Sequence, residues 1–446
     1  MPSEKREKCE VFDLLSGDPG VLDEIQAFYG KNGFVVMRAL SDTTCKDCIK
    51  EQVGKILLKQ PMKDEYRLKV HKMHFDSRER VYRSTDEMID FDTHPDDYIK
   101  NLLVSPIDPA TRERYKNSWT LHRGFGACCD NVVFHLPHVW EIRQNPQLFQ
   151  VACRLMGGRD DLWVDINRSI HKLPEEGENE FLHWDISNIF GDFIGDQGVQ
   201  GKGVYTDSQF FCVPGTHTKE FHTRFVKSYR PLYTDKPNAP KFKLDKSKDP
   251  FHLCEQAKTY LLPGGCVLFW SSRLLHGQKK TPKDAPIEFG TYLGYMVAQD
   301  RPQYAQAALK WQEHIDQRFG GEGKGYLAGR PLSELADRLY SYEHGVAPIL
   351  WPSLDPIHFY PYRFENLHNH LLSILEKMTD RARVKYECTE YLITKKDRTI
   401  QSIRPWKNKR YVAPQLTELG RKLLGLDFVP KNEVMPSIWV MNVQHA

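Results

Sequence analysis

The sequence predicts a strand-rich core, of barrel or jelly-roll type, that lies between helical segments. Residues 210–217 form an apolar strand pattern that ends in a Pro-Gly turn, and residues 260–270 form a turn that leads into a second apolar strand pattern. Two candidate metal-binding histidines, His183 and His276, are far apart in the chain. They can share a site only if two distant strands lie side by side, and a β-barrel or a jelly roll provides that arrangement.

His183, Trp184 and Asp185 form an H-x-D motif, which is the most informative sign of chemistry in the chain. On an extended strand, residues i and i+2 point to the same side, so His183 and Asp185 can reach one metal ion while Trp184 points away. With His276 they supply two imidazoles and one carboxylate, the ligand set of a facial non-haem Fe(II) site with three open coordination positions. An H-x-D triplet also arises by chance, so its surroundings must support the interpretation.

Four segments, in order along the chain, carry a resemblance to a known family. The strings FLHWD, FFCVPGTH and LLPGGCVLFWSSRLLHG follow residues 25–40, a helix pattern that leads into a strand pattern. These segments resemble the phytanoyl-CoA dioxygenase-like branch of the Fe(II)/2-oxoglutarate oxygenases. The resemblance covers residues 20–45 and 160–300.

The resemblance implies a double-stranded β-helix core in which His183, Asp185 and His276 bind Fe(II). Helical N- and C-terminal extensions are predicted around this core from the residue patterns alone. The resemblance also implies 2-oxoglutarate as co-substrate and O₂ as oxidant, with hydroxylation of an unactivated C–H bond as the usual result. Asp185 fills the carboxylate position that related halogenases leave empty, which implies a hydroxylase or a desaturase. The substrate itself does not follow, because this fold and iron site recur with many substrates.

One position departs from the family pattern. Family members place an arginine about eleven residues after the distal histidine, where it pairs with the far carboxylate of 2-oxoglutarate, and that position is Ile287 here. A buried carboxylate needs a cation. Lys202, in the strand pattern after the H-x-D turn, is the favoured replacement because Jumonji-type oxygenases use a lysine from that region. Lys283, in a polar lysine-rich loop, is the second candidate, and Arg168 and Arg273 are the remaining alternatives.

Composition and charge limit the class of protein. The chain has 446 residues, 40% of them hydrophobic, and a formal net charge of +3, which indicates a globular protein without a strong general attraction to nucleic acid or membranes. No stretch approaches the roughly 20 apolar residues of a membrane span, and the N-terminus leads into no signal segment. The expected location is therefore intracellular, by default cytoplasmic. Ten cysteines at irregular spacing predict free thiols, and we interpret the Cys45-x-x-Cys48 pair as packing.

The chain divides into three predicted parts. Residues 1–120 are predicted as an N-terminal helical segment that contains the first core strand, at residues 34–38. Residues 121–300 are predicted as the double-stranded β-helix oxygenase core. Residues 301–446 are predicted as a helical C-terminal extension or cap, which shapes a pocket, forms a dimer surface or recognises a large substrate.

The C-terminal part offers the one candidate contact with nucleic acid. Helices are expected at residues 303–319 and 331–343, and basic residues outnumber acidic ones at residues 377–422, where Trp406 and Tyr411 interrupt the charges. Basic and aromatic side chains together can contact phosphates and stack on bases. A solvated loop is the favoured interpretation.

Three classes of function remain open at this stage. The favoured class is a 2-oxoglutarate-dependent dioxygenase that hydroxylates a small molecule. The second is the same chemistry on a nucleic-acid base or a protein side chain, and the third is a barrel without catalysis that serves for binding. The oligomeric state stays open. Four further histidines are interpreted as structural rather than as ligands: His122, His135, His217 and His222.

Overall fold

The computed structural model describes residues 6–57, 68–76, 81–89, 94–104, 134–167, 169–174, 181–185, 189–193, 198–233, 242–281, 285–298, 338, 341–343, 374–386, 389–405 and 411–426. The helices in these residues are α1 (Val21–Asn32), α2 (Asp42–Leu57), α3 (Pro95–Val104), α4 (Pro137–Arg143), α5 (Pro146–Leu155), α6 (Lys219–Tyr229), α7 (Leu253–Gln256) and α8 (Glu418–Leu424). The strands are β1 (Arg6–Lys8), β2 (Val11–Asp13), β3 (Phe34–Arg38), β4 (Leu68–Asp76), β5 (Val81–Ile89), β6 (Leu162–Val164), β7 (Ser169–Lys172), β8 (Phe181–Trp184), β9 (Gly198–Val204), β10 (Ser208–Cys212), β11 (Phe242–Lys243), β12 (Lys258–Leu262), β13 (Cys266–Ser271), β14 (His276–Gln278), β15 (Glu288–Val297), β16 (Arg381–Tyr386), β17 (Thr389–Thr394) and β18 (Thr399–Pro405).

Two large sheets form the centre of the fold. One has the strand order β2-β3-β13-β9-β15-β6, with β7 also paired to β15, and the other has the order β1-β12-β10-β14-β8-β11. Strands that are distant in sequence, such as β8 and β14, are therefore neighbours. A site shared by His183 and His276 needs this arrangement. Pairing is antiparallel except between β1 and β12 and between β2 and β3.

The two sheets pack face to face through large aromatic side chains, which with their apolar neighbours form the inner core. Phe34 of the seven-stranded sheet lies 5.5 Å from Phe210 and 4.9 Å from Tyr260 of the six-stranded sheet, measured between ring centroids. Trp270 lies 5.6 Å from Phe210 in the same way. This layer fixes the distance between the sheets, because such rings keep near-contact spacing and leave no room for water.

Helices cover the outer face of the seven-stranded sheet. Val35, Val267 and Phe269 alternate with the inner-core residues of their strands and pack under the helices, together with Tyr295. Because both faces of β13 are covered, every residue of that strand is buried. The outer face of the six-stranded sheet packs against α6 through a second apolar group, the aromatic cluster, which is centred on Phe225.

The N-terminal part contains more strands than the sequence analysis expected. The predicted helix followed by a strand is present as α1 and β3. Two short strands precede it: β1 belongs to the six-stranded sheet and β2 to the seven-stranded sheet. β4 and β5 pair with each other in an antiparallel two-stranded sheet, in a region expected to be helical or irregular. Charged residues such as Lys69, Lys72 and Asp86 interrupt the apolar residues of both segments and hid the strand pattern in the sequence.

The C-terminal part is not purely helical in the residues that the structure describes. β16, β17 and β18 form a three-stranded antiparallel sheet, which corrects the expectation of a helical extension there. β-branched and aromatic residues are enriched in the TEYLIT segment of β17, a strand signal that the neighbouring charges obscured. Residues 303–319 lie outside the described residues, and so do Trp406 and most of residues 331–343.

Part of the C-terminal segment packs on the covering layer of the two central sheets. Leu423 and Leu424 of α8 join the apolar layer under the helices, and the buried Arg338 side chain donates to the Leu423 carbonyl oxygen at 2.6 Å. The structure is thus mainly β with covering helices. Closure of the sheets into a double-stranded β-helix and the three domain boundaries stay predictions. Among the described residues, the helices are too short or too polar to traverse a lipid bilayer.

Candidate metal centre

Two neighbouring strands bring the separated histidines together. β14 pairs with β8 in an antiparallel register that places His276 opposite His183, and their ring centroids lie 4.5 Å apart. β10 lies on the other side of β14, with Cys212 opposite His276. The central position of these strands in the six-stranded sheet holds both imidazoles in fixed places.

Strand alternation decides which side chains of β8 point inward. Leu182 and Trp184 belong to the aromatic cluster on the outer face of the sheet, and the Trp184 indole Nε1 donates to the Arg273 carbonyl oxygen at 2.9 Å. His183 therefore points to the space between the sheets, and Asp185, two residues later, does so as well. The expectation that Trp184 turns away from the site agrees with this arrangement.

His183, Asp185 and His276 form a group that could hold a metal ion, with candidate donor atoms all within 4.8 Å of one another. Asp185 Oδ1 lies 3.2 Å from His183 Nε2, and Asp185 Oδ2 lies 3.3 Å from His276 Nε2. Adjacent ligands of an octahedral metal at about 2.1 Å are separated by roughly 3 Å. Each imidazole therefore stands at the separation from an oxygen of the Asp185 carboxylate that is expected of neighbouring ligands.

The tautomer of His276 favours metal binding. Its Nδ1 lies 2.9 Å from the Leu274 carbonyl oxygen, which can only accept, so Nδ1 carries the proton. Nε2, which faces a carboxylate oxygen of Asp185, is then the ring nitrogen that a metal ion can bind. A hydrogen bond from Nδ1 to a backbone carbonyl oxygen is a common way in which a metal-binding histidine is held in place.

Aromatic rings enclose the two imidazoles. Phe181 stacks on His183 at 5.1 Å between centroids, and Trp270 lies 5.5 Å from His276. His183 is 4% exposed and His276 6%, whereas the Asp185 side chain is 26% exposed. The site is thus a recess between the sheets that opens beside the carboxylate.

Gln200 is a neighbour of the group that the sequence analysis did not identify. It lies on β9 of the opposite sheet, and its Nε2 donates to Asp185 Oδ2 at 3.2 Å. A hydrogen bond of this kind fixes the rotamer of a ligating carboxylate. Strand alternation could have identified Gln200, because it lies two residues before Lys202 on the same strand and therefore on the same face of the sheet.

Lys202 also points into the space between the sheets, but it already has a carboxylate partner there. Its ammonium forms a buried ion pair with Glu288 and donates to Ser208 Oγ at 2.6 Å. Burial opposes ionisation of Glu288, yet the charges of Lys202 and then Lys172 outweigh it and hold the pKa of this carboxyl below its usual value. Glu288 was not among the site residues predicted from the sequence.

Ile287, the position at which the family pattern expects an arginine, points the other way. It is 1% exposed and packs in the apolar layer under the helices. Since successive residues of a strand alternate faces, the inward position at the start of β15 belongs to Glu288. Ile287 therefore offers no group to the space between the sheets, and the neighbouring inward residue, Glu288, is acidic.

The other cationic candidates are distributed differently. Lys283 and Arg168 lie outside the described residues. Arg273 is 8% exposed, and its guanidinium lies 4.2 Å from the centre of the Phe193 ring. It lines a small cavity with Trp184 and His222, which places it at the aromatic cluster behind the metal-binding group.

The remaining candidate histidines have other partners. His217 Nε2 lies 3.2 Å from the Gly30 carbonyl oxygen, and His222 Nε2 lies 3.0 Å from that of Ile189. His135 Nε2 lies 2.7 Å from Ser341 Oγ. None of these three belongs to the metal-binding group, in accord with their structural interpretation, and His122 lies outside the described residues.

The Cys45 and Cys48 pair lies on α2 as two buried free thiols. Burial raises the pKa of Cys45 to about 11 and raises that of Cys48 as well. Thiols that resist ionisation are poor nucleophiles and poor metal ligands. Their environment agrees with the interpretation as packing.

No protein-family model matches the chain, and no curated protein matches it. Among solved structures, it is similar to the epimerase SnoN in complex with Fe3+, alpha ketoglutarate and nogalamycin RO, at 14% identity and a TM-score of 0.33, over 63% of this chain and 85% of that chain. EctD from S. alaskensis with bound Fe has 11% identity and a TM-score of 0.33, over 66% and 83%. AviO1 from Streptomyces viridochromogenes Tue57 has 12% identity and a TM-score of 0.31, over 63% and 96%. Identities and scores this low leave the function to be inferred from the residues of the site.

Proposed function

We propose that this protein is a non-haem Fe(II) oxygenase that uses 2-oxoglutarate and O₂ to hydroxylate a C–H bond of a small molecule. The observation that carries the proposal is the convergence of His183, Asp185 and His276, with donor atoms within 4.8 Å of one another. Two imidazoles and one carboxylate leave three positions of an octahedral metal for other ligands. Bound Fe(II) and 2-oxoglutarate would supply the activation of O₂ and the oxidation of the substrate.

The residues of the chain have distinct tasks in this proposal. The two histidines and Asp185 hold the metal, and Gln200 orients the carboxylate through its bond to Oδ2. Phe181 and Trp270 keep the imidazole rings in place and exclude water from their faces. Exclusion of water protects a strongly oxidising site from side reactions.

The burial of the metal-binding group favours a small substrate. Both imidazoles are buried, and a quarter of the Asp185 side chain is exposed, so a reacting C–H group must enter between the sheets to approach the metal. A small molecule can do so, whereas a folded surface cannot. A single extruded base or side chain is the alternative substrate.

The test is anaerobic binding of Fe(II), followed by 2-oxoglutarate, to the wild type and to Asp185→Ala. We expect the wild type to bind Fe(II) and to develop a visible absorption band with 2-oxoglutarate. Loss of a ligand should weaken Fe(II) binding by more than the roughly tenfold to hundredfold that loss of a supporting hydrogen bond costs. Asp160→Ala is the matched control, because the Asp160 side chain is 81% exposed and contacts Lys422. Equal Fe(II) affinity in both variants would refute the proposed metal site.

A further inference from the structure

Lys202 and Glu288 form a buried ion pair on neighbouring strands of the seven-stranded sheet. Lys202 is 8% exposed and Glu288 5%, and Ser208 contacts both of them, as acceptor from the lysine and as hydrogen-bond partner of the carboxylate. A buried charge pair adds little net stability compared with apolar residues of similar size. Stability alone therefore gives a weak reason for this pair.

The pair lies on the same side of the sheet as the metal-binding group. Gln200 and Lys202 are two residues apart on β9, so their side chains share a face and their Cα atoms are about 6.6 Å apart. Gln200 contacts Asp185. Lys202 is therefore one strand repeat away from the residue that contacts the carboxylate that the metal would bind.

The geometry places a cation where a chelating dicarboxylate would need one. In the proposed function, 2-oxoglutarate would use its 2-oxo group and the adjacent carboxylate on the metal. Its far carboxylate, two methylene groups away, must then find a positive charge in a recess that excludes water. Lys202 can offer that charge, but its ammonium already faces the Glu288 carboxylate.

We infer that Glu288 is a specificity-determining residue, an internal carboxylate that competes with the far carboxylate of 2-oxoglutarate for Lys202. The inference rests on the proposed function, whose co-substrate it concerns. Two carboxylates that share one ammonium repel each other, so binding of 2-oxoglutarate must displace Glu288 or tolerate its charge. Glu288 thereby lowers the affinity for a 2-oxo acid with a charged tail, whereas the affinity for a 2-oxo acid with an apolar tail is unaffected.

The charge state of Glu288 supports this competition. The neighbouring charges of Lys202 and Lys172 outweigh the effect of burial and keep the carboxyl ionised at neutral pH. Lys172 lies opposite Glu288 in the pairing of β7 with β15, and its ammonium donates to the Lys279 carbonyl oxygen at 2.8 Å. A full negative charge therefore stands beside Lys202.

The test compares two 2-oxo acids of equal chain length, 2-oxoglutarate and 2-oxovalerate, in which a methyl group replaces the far carboxylate. Their dissociation constants are measured anaerobically on the Fe(II)-loaded wild type and on Glu288→Gln, by the visible band and by calorimetry. Glu288→Gln keeps the shape and the hydrogen-bonding capacity of the side chain but removes its charge. The dissociation constant of 2-oxoglutarate should fall by about tenfold or more, and that of 2-oxovalerate should change by less than about twofold.

Two further variants separate charge from disturbance of the fold. Lys202→Met in the Glu288→Gln background should abolish the gain for 2-oxoglutarate, because the cation is gone. Ile287→Val, a change at the adjacent outward position, should alter neither dissociation constant. If Glu288→Gln does not fold, Glu288→Asp serves instead, since it withdraws the carboxylate from Lys202 and should tighten 2-oxoglutarate by a smaller factor.

The outcomes distinguish this inference from the proposed function. An unchanged ratio of the two dissociation constants in Glu288→Gln, with both acids binding to the wild type, would overturn the inference and leave the proposed function intact. Fe(II)-loaded wild type and Glu288→Gln that both bind neither acid would overturn the two together. Binding of 2-oxoglutarate by Glu288→Gln and not by the wild type would support the inference and refute 2-oxoglutarate as the co-substrate of the wild type.

Discussion

Gln200 should determine how tightly the protein holds its metal, although it is not a ligand. Its Nε2 donates to Asp185 Oδ2 at 3.2 Å, and it reaches the carboxylate from the sheet opposite β8 and β14. Gln200→Leu removes the amide and keeps a side chain of similar length. We expect the Asp185 carboxylate to be held less firmly in one rotamer, and the affinity for Fe(II) to fall as a result.

The size of the effect follows from the nature of the bond. A hydrogen bond to a charged group contributes about 1.5–3 kcal/mol, which corresponds to roughly tenfold to 150-fold in a binding constant. The Asp185 side chain is 26% exposed, so water can replace part of the lost interaction. The expected loss of Fe(II) affinity is therefore near the lower end, about tenfold.

The assay is anaerobic competition for Fe(II) against a chelator of known affinity, with the unfolding transition measured on the same samples. Gln209→Leu is the matched control, because Gln209 is a half-buried glutamine on β10 whose amide donates to the Lys280 carbonyl oxygen. Wild-type affinity in Gln200→Leu would refute the argument that this bond orients the carboxylate. An equal loss in both variants would show a general effect of removing a glutamine.

Two further predictions concern the strands that surround the site. Burial lowers the pKa of His171 from 6.5 to about 3, so the unfolded chain takes up a proton as the pH falls through 6.5 and the folded protein does not. The free energy of unfolding should therefore drop by about 2 kcal/mol between pH 7.5 and pH 5 from this group. In denaturant titrations, the free energy of unfolding of His171→Phe should fall less with pH than that of the wild type, by the contribution of His171. The same pH dependence in both proteins would contradict the lowered pKa of His171. Gly277→Ala would place a Cβ atom 1.8 Å from the Phe181 carbonyl oxygen, so β14 must move away from β8 and we expect both Fe(II) affinity and thermal stability to fall. A variant with wild-type Fe(II) affinity would show that the two strands can separate without harm to the site.

The sequence indicated the donor set of the metal centre before any tertiary structure was considered. The spacing of His183 and Asp185 is local, because alternation along one strand places both side chains on one face. Trp184 packs on the opposite face for the same reason. His276 was predicted from its residue type and from the segment LLPGGCVLFWSSRLLHG that contains it. The pairing of β14 with β8 brings His276 to His183 and Asp185.

The surroundings of Lys202 could not be predicted in the same way. A shift of one residue reverses the face on which a strand residue lies, so counting eleven residues from His276 led to the outward-facing Ile287 rather than to Glu288. The contacts of Lys202 with Glu288 and of Gln200 with Asp185 cross between strands that are distant in sequence. Such contacts depend on strand order and register, which local spacing does not contain.

The sequence by itself thus determined the chemistry that the chain can offer: two imidazoles, a carboxylate and a lysine on strands with apolar flanks. Tertiary structure alone decided that the lysine meets an internal carboxylate, and that a glutamine from the opposite sheet supports the proposed metal ligand. The physical reason is that side-chain type and alternation are local properties, whereas the partner of a buried charge is chosen by which strands become neighbours when the sheets form.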